Sequence, residues 1–159
     1  MRVFAPRLIL ITDPSHADEH VDAVIAAVSR AIDPSSFAVQ LRDKTASPTR
    51  RRTRAFELRR LTRDLGAGFI VNGDAMLAHE VGADGLHLPS SSEAVAFGWV
   101  SVAAHQDADV TRAVAAGANA ALVSPVFATP GKPPPRGTLA IARVAHLPHA
   151  ARPQRRCRT

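Results

Sequence analysis

The residues best suited to chemistry stand where short apolar runs end. His105 closes the run VAAH, and an imidazole there can give and take a proton near neutrality because its ordinary pKa is about 6.5. QLRDK supplies Gln40, Arg42 and Lys44. Arg42 suits a bidentate contact with a carboxylate or phosphate, and Lys44 adds a compact charge. FIVNGDA ends in Asn72, Gly73 and Asp74, HLPS carries His87 and Ser90, and FATPGK carries Thr129 and Lys132. Taken singly, each is as easily a helix cap or a satisfied loop group. Their recurrence at the end of nearly every run turns them into one candidate site.

The elements that must position them follow a rhythm. The apolar, β-prone runs LILIT, FAVQL, GFIVN, GLHL, WVSVA and AALVSPVF alternate with helical stretches. Three runs follow similar glycine turns, LGAGF, VGADG and AGANA, read as helix stops. Val21, Val24, Ile25, Val28 and Ile32 make one apolar helical face, and Asp74 is placed to cap a helix over residues 75 to 81. Strand-helix alternation implies parallel strands with right-handed crossovers. The first strand ends ITDPS, without the glycine fingerprint of a Rossmann sheet, so a (β/α) barrel is the better reading. In such barrels the site lies at the carboxyl ends of the strands, where these polar residues fall.

Composition narrows the class. A chain of 159 residues suffices for one domain with a real core. Its apolar runs are too short for a membrane span, and MRVFAPRLILIT lacks the features of a signal peptide, so a cytoplasmic protein is expected. The single cysteine, Cys157, permits neither a disulfide nor a cysteine metal site. The net charge of +6 is arginine-rich and raises nucleic acid as a partner. However, the cluster TRRRTRAFELRRLTRD carries Leu58, Leu61 and Leu65 at helical spacing, which puts its arginines mostly on an outer, solvated face. With no tyrosine and one tryptophan there are few stacking platforms, so neither nucleic acid nor membrane is expected as a partner.

The motifs, in order, resemble the thiamine phosphate synthase and TenI superfamily of (β/α)8 TIM barrels: ITD, QLRDK, VN-G-D, GADGLHLP, the histidine of VAAH, and SPVFATPGK. The synthase branch joins a pyrimidine pyrophosphate to a thiazole phosphate and holds Mg²⁺ with carboxylates, hard oxygen donors for a hard cation. The positions matching two of those aspartates are Gly73 and Ser92, so no metal and no other cofactor is expected. Ala103 likewise stands where the family has a strand-five serine. The Asn72-Gly73 pair and the LPS run resemble TenI-like thiazole tautomerases. By that resemblance the leading expectation is a thiamine biosynthesis isomerase: His105 moves the proton of a thiazole phosphate carboxylate, while Gln40, Arg42, Lys44, Asn72, Ser90, Thr129 and Lys132 bind the substrate. A thiamine phosphate synthase is the alternative enzyme, and a non-catalytic binding or regulatory remnant the alternative of another class. His105 also reads as an N-cap neighbour of a helix beginning near Asp107, and His87 and Asp84 are assigned no chemistry.

The resemblance covers residues 7 to 140 and supplies six of the family's eight strands. The expected organisation is an incomplete barrel over residues 1–145, about six βα units, followed by a basic, disordered tail over 146–159. Truncation, or a homo-oligomer covering the open barrel edges, would account for the missing strands.

Overall fold

The structure is a computed structural model that describes residues 4–93, 95–128, 130 and 135. Six strands form where the apolar runs predict them: β1 (Leu8–Ile11), β2 (Phe37–Leu41), β3 (Gly68–Asn72), β4 (Gly85–Leu88), β5 (Trp99–Ala104) and β6 (Ala120–Val123). Between them lie α1 (Asp18–Ala31), α2 (Pro48–Leu65), α3 (Ala75–Glu80) and α4 (Asp107–Ala115). The sheet order is the sequence order, and the paired strands are parallel. Sequential parallel strands with helical crossovers are those of an incomplete (β/α) barrel. One expected repeat differs, because the connection from β4 to β5 has no helix among its described residues.

By its contacts the chain forms two compact units. The first holds β1 to β4, the helices α1 to α3 and residues Ala96–Val100; the second holds Pro89–Val95 and the chain from Ser101 onward. In the first unit β2 and β3 are buried from end to end apart from Asn72, as strands covered on both faces should be. Phe37, Val39, Phe69, Ile70 and Leu86 are fully buried, together with Ile25 of α1 and Leu58 of α2. Two glycines are closely packed against aromatic rings. A Cβ on Gly68 would lie 2.1 Å from the Phe4 ring, and one on Gly85 would lie 2.8 Å from the Trp99 ring. Those rings meet edge to face at 5.6 Å. In the second unit β6 is only half-buried along its whole length.

The helix stops fall as the glycine turns predict. Gly66, Gly82 and Gly117 take φ of 73°, 62° and 75°. Asp74 caps α3 by accepting from the Leu77 N–H at 2.9 Å. The apolar face of α1 ends sooner than its spacing predicts, since Ile32 lies past the helix and is exposed.

The arginine-rich helix keeps most of its arginines exposed, as its spacing predicts, and departs from it at Arg54 and Arg59. Arg54 is buried, facing Asp18 and Asp22 of α1 and Glu57 of its own helix. Arg59 makes a forked contact with Asp84 at 2.7 and 3.3 Å, and Asp84 also accepts from the Phe69 N–H at 2.9 Å. Arg50 pairs with Asp18 and Arg52 with Glu80. Helical spacing reports which side chains face the core, but not that acidic residues of neighbouring elements meet the helix flank. Arg54 and Arg59 are therefore paired under cover, while Arg50, Arg52, Arg60 and Arg63 are exposed.

Candidate ligand-binding site at the strand ends

In the first unit the registers bring the predicted residues into one row. Gln40 stands opposite Ile11 on one side and Ile70 on the other, and Asn72 stands opposite His87. Because side chains alternate along a strand, Ile70 and Asn72 share a face, as do Gly85 and His87. Gln40 Nε2 donates to Asn72 Oδ1 at 3.2 Å. Gln40 is 1% exposed, and its Oε1 has no partner among the described residues. A buried acceptor left open costs about 1–3 kcal/mol. Beneath this row lie Ile70, and Gly85 with the Trp99 ring over it, an apolar floor for a flat heterocycle.

Cations stand beyond the row. Arg42 follows β2, is half-buried, and donates its backbone N–H to Thr12 Oγ1 at 2.9 Å, which ties the exit of β2 to that of β1. Lys44 is exposed. Neither makes an ion pair among the described residues. His87, half-buried, has its pKa pushed down to about 4, first by burial and then by the Arg42 charge. At neutral pH it is therefore an uncharged imidazole. His87 was not assigned a role from sequence, because only the register shows that it lies beside Asn72.

The carboxylates of these loops are committed locally. Asp13 Oδ1 accepts from the Ser15 N–H at 2.9 Å, and this bond lowers its pKa. Asp43 Oδ1 accepts from Thr45 N–H, Thr45 Oγ1 and Ala46 N–H, each at 2.9 Å. Burial opposes ionisation of Asp43, but these bonds outweigh it and its pKa falls. A cavity of about 470 Å³ opens between the β1–α1 and β2–α2 loops, lined by Thr12, Asp43, Arg50 and Arg54 among others. Its arginines are mostly held by Asp18 and Asp22, and it includes none of Gln40, Asn72 and His87.

In the second unit His105 is exposed at the end of β5. Its Nδ1 lies 2.9 Å from the Ser124 carbonyl oxygen. A carbonyl only accepts, so Nδ1–H is the donor of this bond. The His105 N–H donates to Asp109 Oδ2 at 2.8 Å, and Gln106 N–H to the same oxygen at 3.1 Å. The N-cap neighbour anticipated from sequence is thus present. Ser90 is half-buried, and its carbonyl accepts from Arg112 at 3.4 Å. Thr129 and Lys132 lie outside the described residues.

A family described as thiamine monophosphate synthase matches residues 8–152. The chain belongs to that family. It is 37% identical over 149 residues to the thiamine-phosphate synthase of Alcanivorax borkumensis, covering 87% of this chain and 67% of that one. The synthase of Thiobacillus denitrificans is 32% identical, covering 96% and 73%, and that of Chloroflexus aurantiacus 35%, covering 80% and 61%. Against the synthase of Halorhodospira halophila the chain spans 56% of the relative's length. The thiamine phosphate pyrophosphorylase of Pyrococcus furiosus shares the fold at a TM-score of 0.68 and 23% identity, covering 86% of this chain and 68% of that one.

These relatives overturn the tautomerase expectation, for all of them carry the synthase name or that of a pyrophosphorylase. The physical reason the sequence misled lies at Gly73. Its φ is +74°, so glycine serves the turn from β3 into α3 and is no marker of an isomerase.

The Mg²⁺ that the family resemblance implies does not fit the donor set of these residues. Gly73 offers no ligand, and one oxygen each of Asp13, Asp43 and Asp74 is engaged by N–H groups of its own loop or helix. Among the described residues no cluster of three or more His, Cys, Asp or Glu is arranged to hold a metal ion. Nor is any described helix long and apolar enough to cross a membrane.

Proposed function

We propose that the chain carries a thiamine-phosphate-synthase-type site, which binds phosphorylated pyrimidine and thiazole substrates and joins them with loss of pyrophosphate. The observation that carries the reading is the row Gln40–Asn72 with Arg42 beside it, on a chain 37% identical to a thiamine-phosphate synthase. Each part has a task in that reaction. Gln40, through its bond to Asn72 Oδ1, holds the Asn72 amide at the end of β3 in place for the pyrimidine. The neutral His87 adds no charge next to the heterocycle. Arg42 and Lys44 hold the pyrophosphate, whose negative charge grows as its bond to the pyrimidine methylene breaks.

The test is a direct assay of thiamine phosphate formed from the two substrates, with pyrophosphate release followed in parallel. Arg42→Ala should lower kcat/KM by about 10² or more, the usual loss when one donor to a developing anion is removed. No product from the native chain with both substrates bound overturns the synthase reading. Equal rates in the native and Arg42→Ala proteins remove Arg42 from it.

A further inference from the structure

We infer that Thr12, just past β1, is a positioning residue: its hydroxyl carries the β1–β2 ladder one rung beyond the strands and so keeps Arg42 on the face that bears Gln40. This rests on the synthase-type reading, in which Arg42 meets the anionic group of a substrate, and concerns what aims that side chain. Ile11 stands opposite Gln40, and the Thr12 N–H donates to the Gln40 carbonyl at 3.0 Å. In an evenly spaced parallel ladder the next N–H of β2's chain to face β1 is that of Arg42, and it is due at the carbonyl of Thr12. It goes instead to Thr12 Oγ1, at 2.9 Å.

A side-chain oxygen in place of a main-chain one lets the two chains part without losing the contact. After Thr12 the chain turns: Asp13 Oδ1 accepts from the Ser15 N–H at 2.9 Å, and the Asp13 carbonyl from the His16 N–H at 3.1 Å. After Arg42 it turns as well, with Asp43 Oδ1 accepting from the N–H groups of Thr45 and Ala46. Arg42, which follows the last residue of β2, is thus held between a ladder rung and a turn.

What the rung secures is alternation. Successive side chains point to opposite faces only while the backbone stays extended, so a rung at Arg42 puts it on the Gln40 face, with the buried Leu41 on the other. The Arg42 charge reaches His87 of β4, whose pKa it lowers after the larger effect of burial, and this agrees with a guanidinium directed along the row of Gln40, Asn72 and His87. A backbone fixed before the ligand arrives also leaves less freedom for the long side chain to lose on binding. Without the hydroxyl, the Arg42 N–H would have no partner at this rung.

The experiment compares the native full chain with Thr12→Val, which exchanges the hydroxyl for a methyl, and Thr12→Ser, which keeps it. Amide exchange followed residue by residue reads the rung, and calorimetric titration with inorganic pyrophosphate in Mg²⁺-containing buffer reads its use. Thr12→Val should speed exchange at Arg42 and weaken pyrophosphate binding, each about tenfold, the loss expected when one hydrogen-bond partner is removed. Thr12→Ser should restore both. In an Arg42→Ala background, Thr12→Val should weaken binding no further, because a residue that acts through Arg42 then has nothing to position. A merely structural role would give the same loss with and without the arginine. Unchanged exchange at Arg42 in Thr12→Val, no rescue by Thr12→Ser, an equal loss in both backgrounds, or no pyrophosphate binding by the native chain would each overturn the inference. The synthase reading fails in another way, by pyrophosphate binding through Arg42 without any coupling of the two substrates.

Discussion

The strand ends of the first unit and those of the second handle polar groups in opposite ways. In the first, Gln40 donates to Asn72 across β2 and β3, which are buried apart from Asn72, His87 is half-buried, and Asp84 clamps Arg59 to the backbone of β3. In the second, His105 is exposed, β6 is half-buried throughout, and Asp109 joins Arg112, which is itself exposed. Both units are built from the same strand-turn-helix repeat. The difference is how much of each strand is covered, and coverage decides whether a polar side chain becomes rigid and electrostatically shifted or stays open to solvent.

The largest expected effect breaks this contrast if it is wrong. Leu86 of β4 is fully buried, and Leu122 of β6 is half-buried. Leu86→Ala should cost about 3–5 kcal/mol, transfer and cavity together. Leu122→Ala should cost about 1–2 kcal/mol, since less apolar area leaves water at that site. Urea unfolding of the two variants measures both. Equal losses would mean that β6 is as well covered as β4.

The paired carboxylates sharpen the comparison at a smaller scale. Asp84 and Asp109 are the same device: a carboxylate that accepts backbone N–H groups and meets an arginine. The Asp84 partner, Arg59, has a side chain only 17% exposed, whereas the Asp109 partner, Arg112, is 57% exposed. Asp84→Asn leaves a mostly covered guanidinium without its charge partner and should cost about 2–3 kcal/mol. Asp109→Asn should cost about 1 kcal/mol, because water solvates the released arginine. The reverse order in thermal melts would show that backbone capping, and not coverage of the arginine, sets the cost.

The strands were legible in the sequence because burial on both faces leaves continuous apolar runs, as in FAVQL and GFIVN. The helix stops were legible because glycine alone takes positive φ without strain. Gln40, Arg42, Lys44 and Asn72 were legible as polar ends of apolar runs, and Gln40, Asn72 and Arg42 do lie along one edge of the first unit. Pairing across elements was not legible. The Arg54 contacts with Asp18 and Asp22 link residues more than 30 positions apart, and the place of His87 beside Asn72 depends on register. Gly73 shows the opposite error, a residue that looked chemical and is conformational.

The last comparison concerns pH, and it separates the two regions by window. In the folded chain His87 titrates at about 4, against an ordinary value of 6.5, through burial and the Arg42 charge. Between those values the unfolded chain binds more protons than the folded one, so stability falls as the pH drops from about 6.5 to about 4 and this loss levels off below. Asp109 behaves with the opposite sign. Burial opposes its ionisation, but bonds from His105 and Gln106 and the Arg112 charge lower its pKa below 3.8. Its contribution is present above that value and lost as the pH falls through the folded pKa. Acid should therefore weaken the β4 end first and the β5 end later. Amide exchange at pH 5.5 should be faster than at pH 7, after correction for intrinsic rates, for Gly73, whose N–H donates to the His87 carbonyl, but not for His105. His87→Gln should remove the change at Gly73 and leave the later loss in place. If the native and His87→Gln proteins show the same dependence between pH 6.5 and 4, the imidazole is not held neutral by its surroundings, and the two strand ends do not differ in the way their coverage implies.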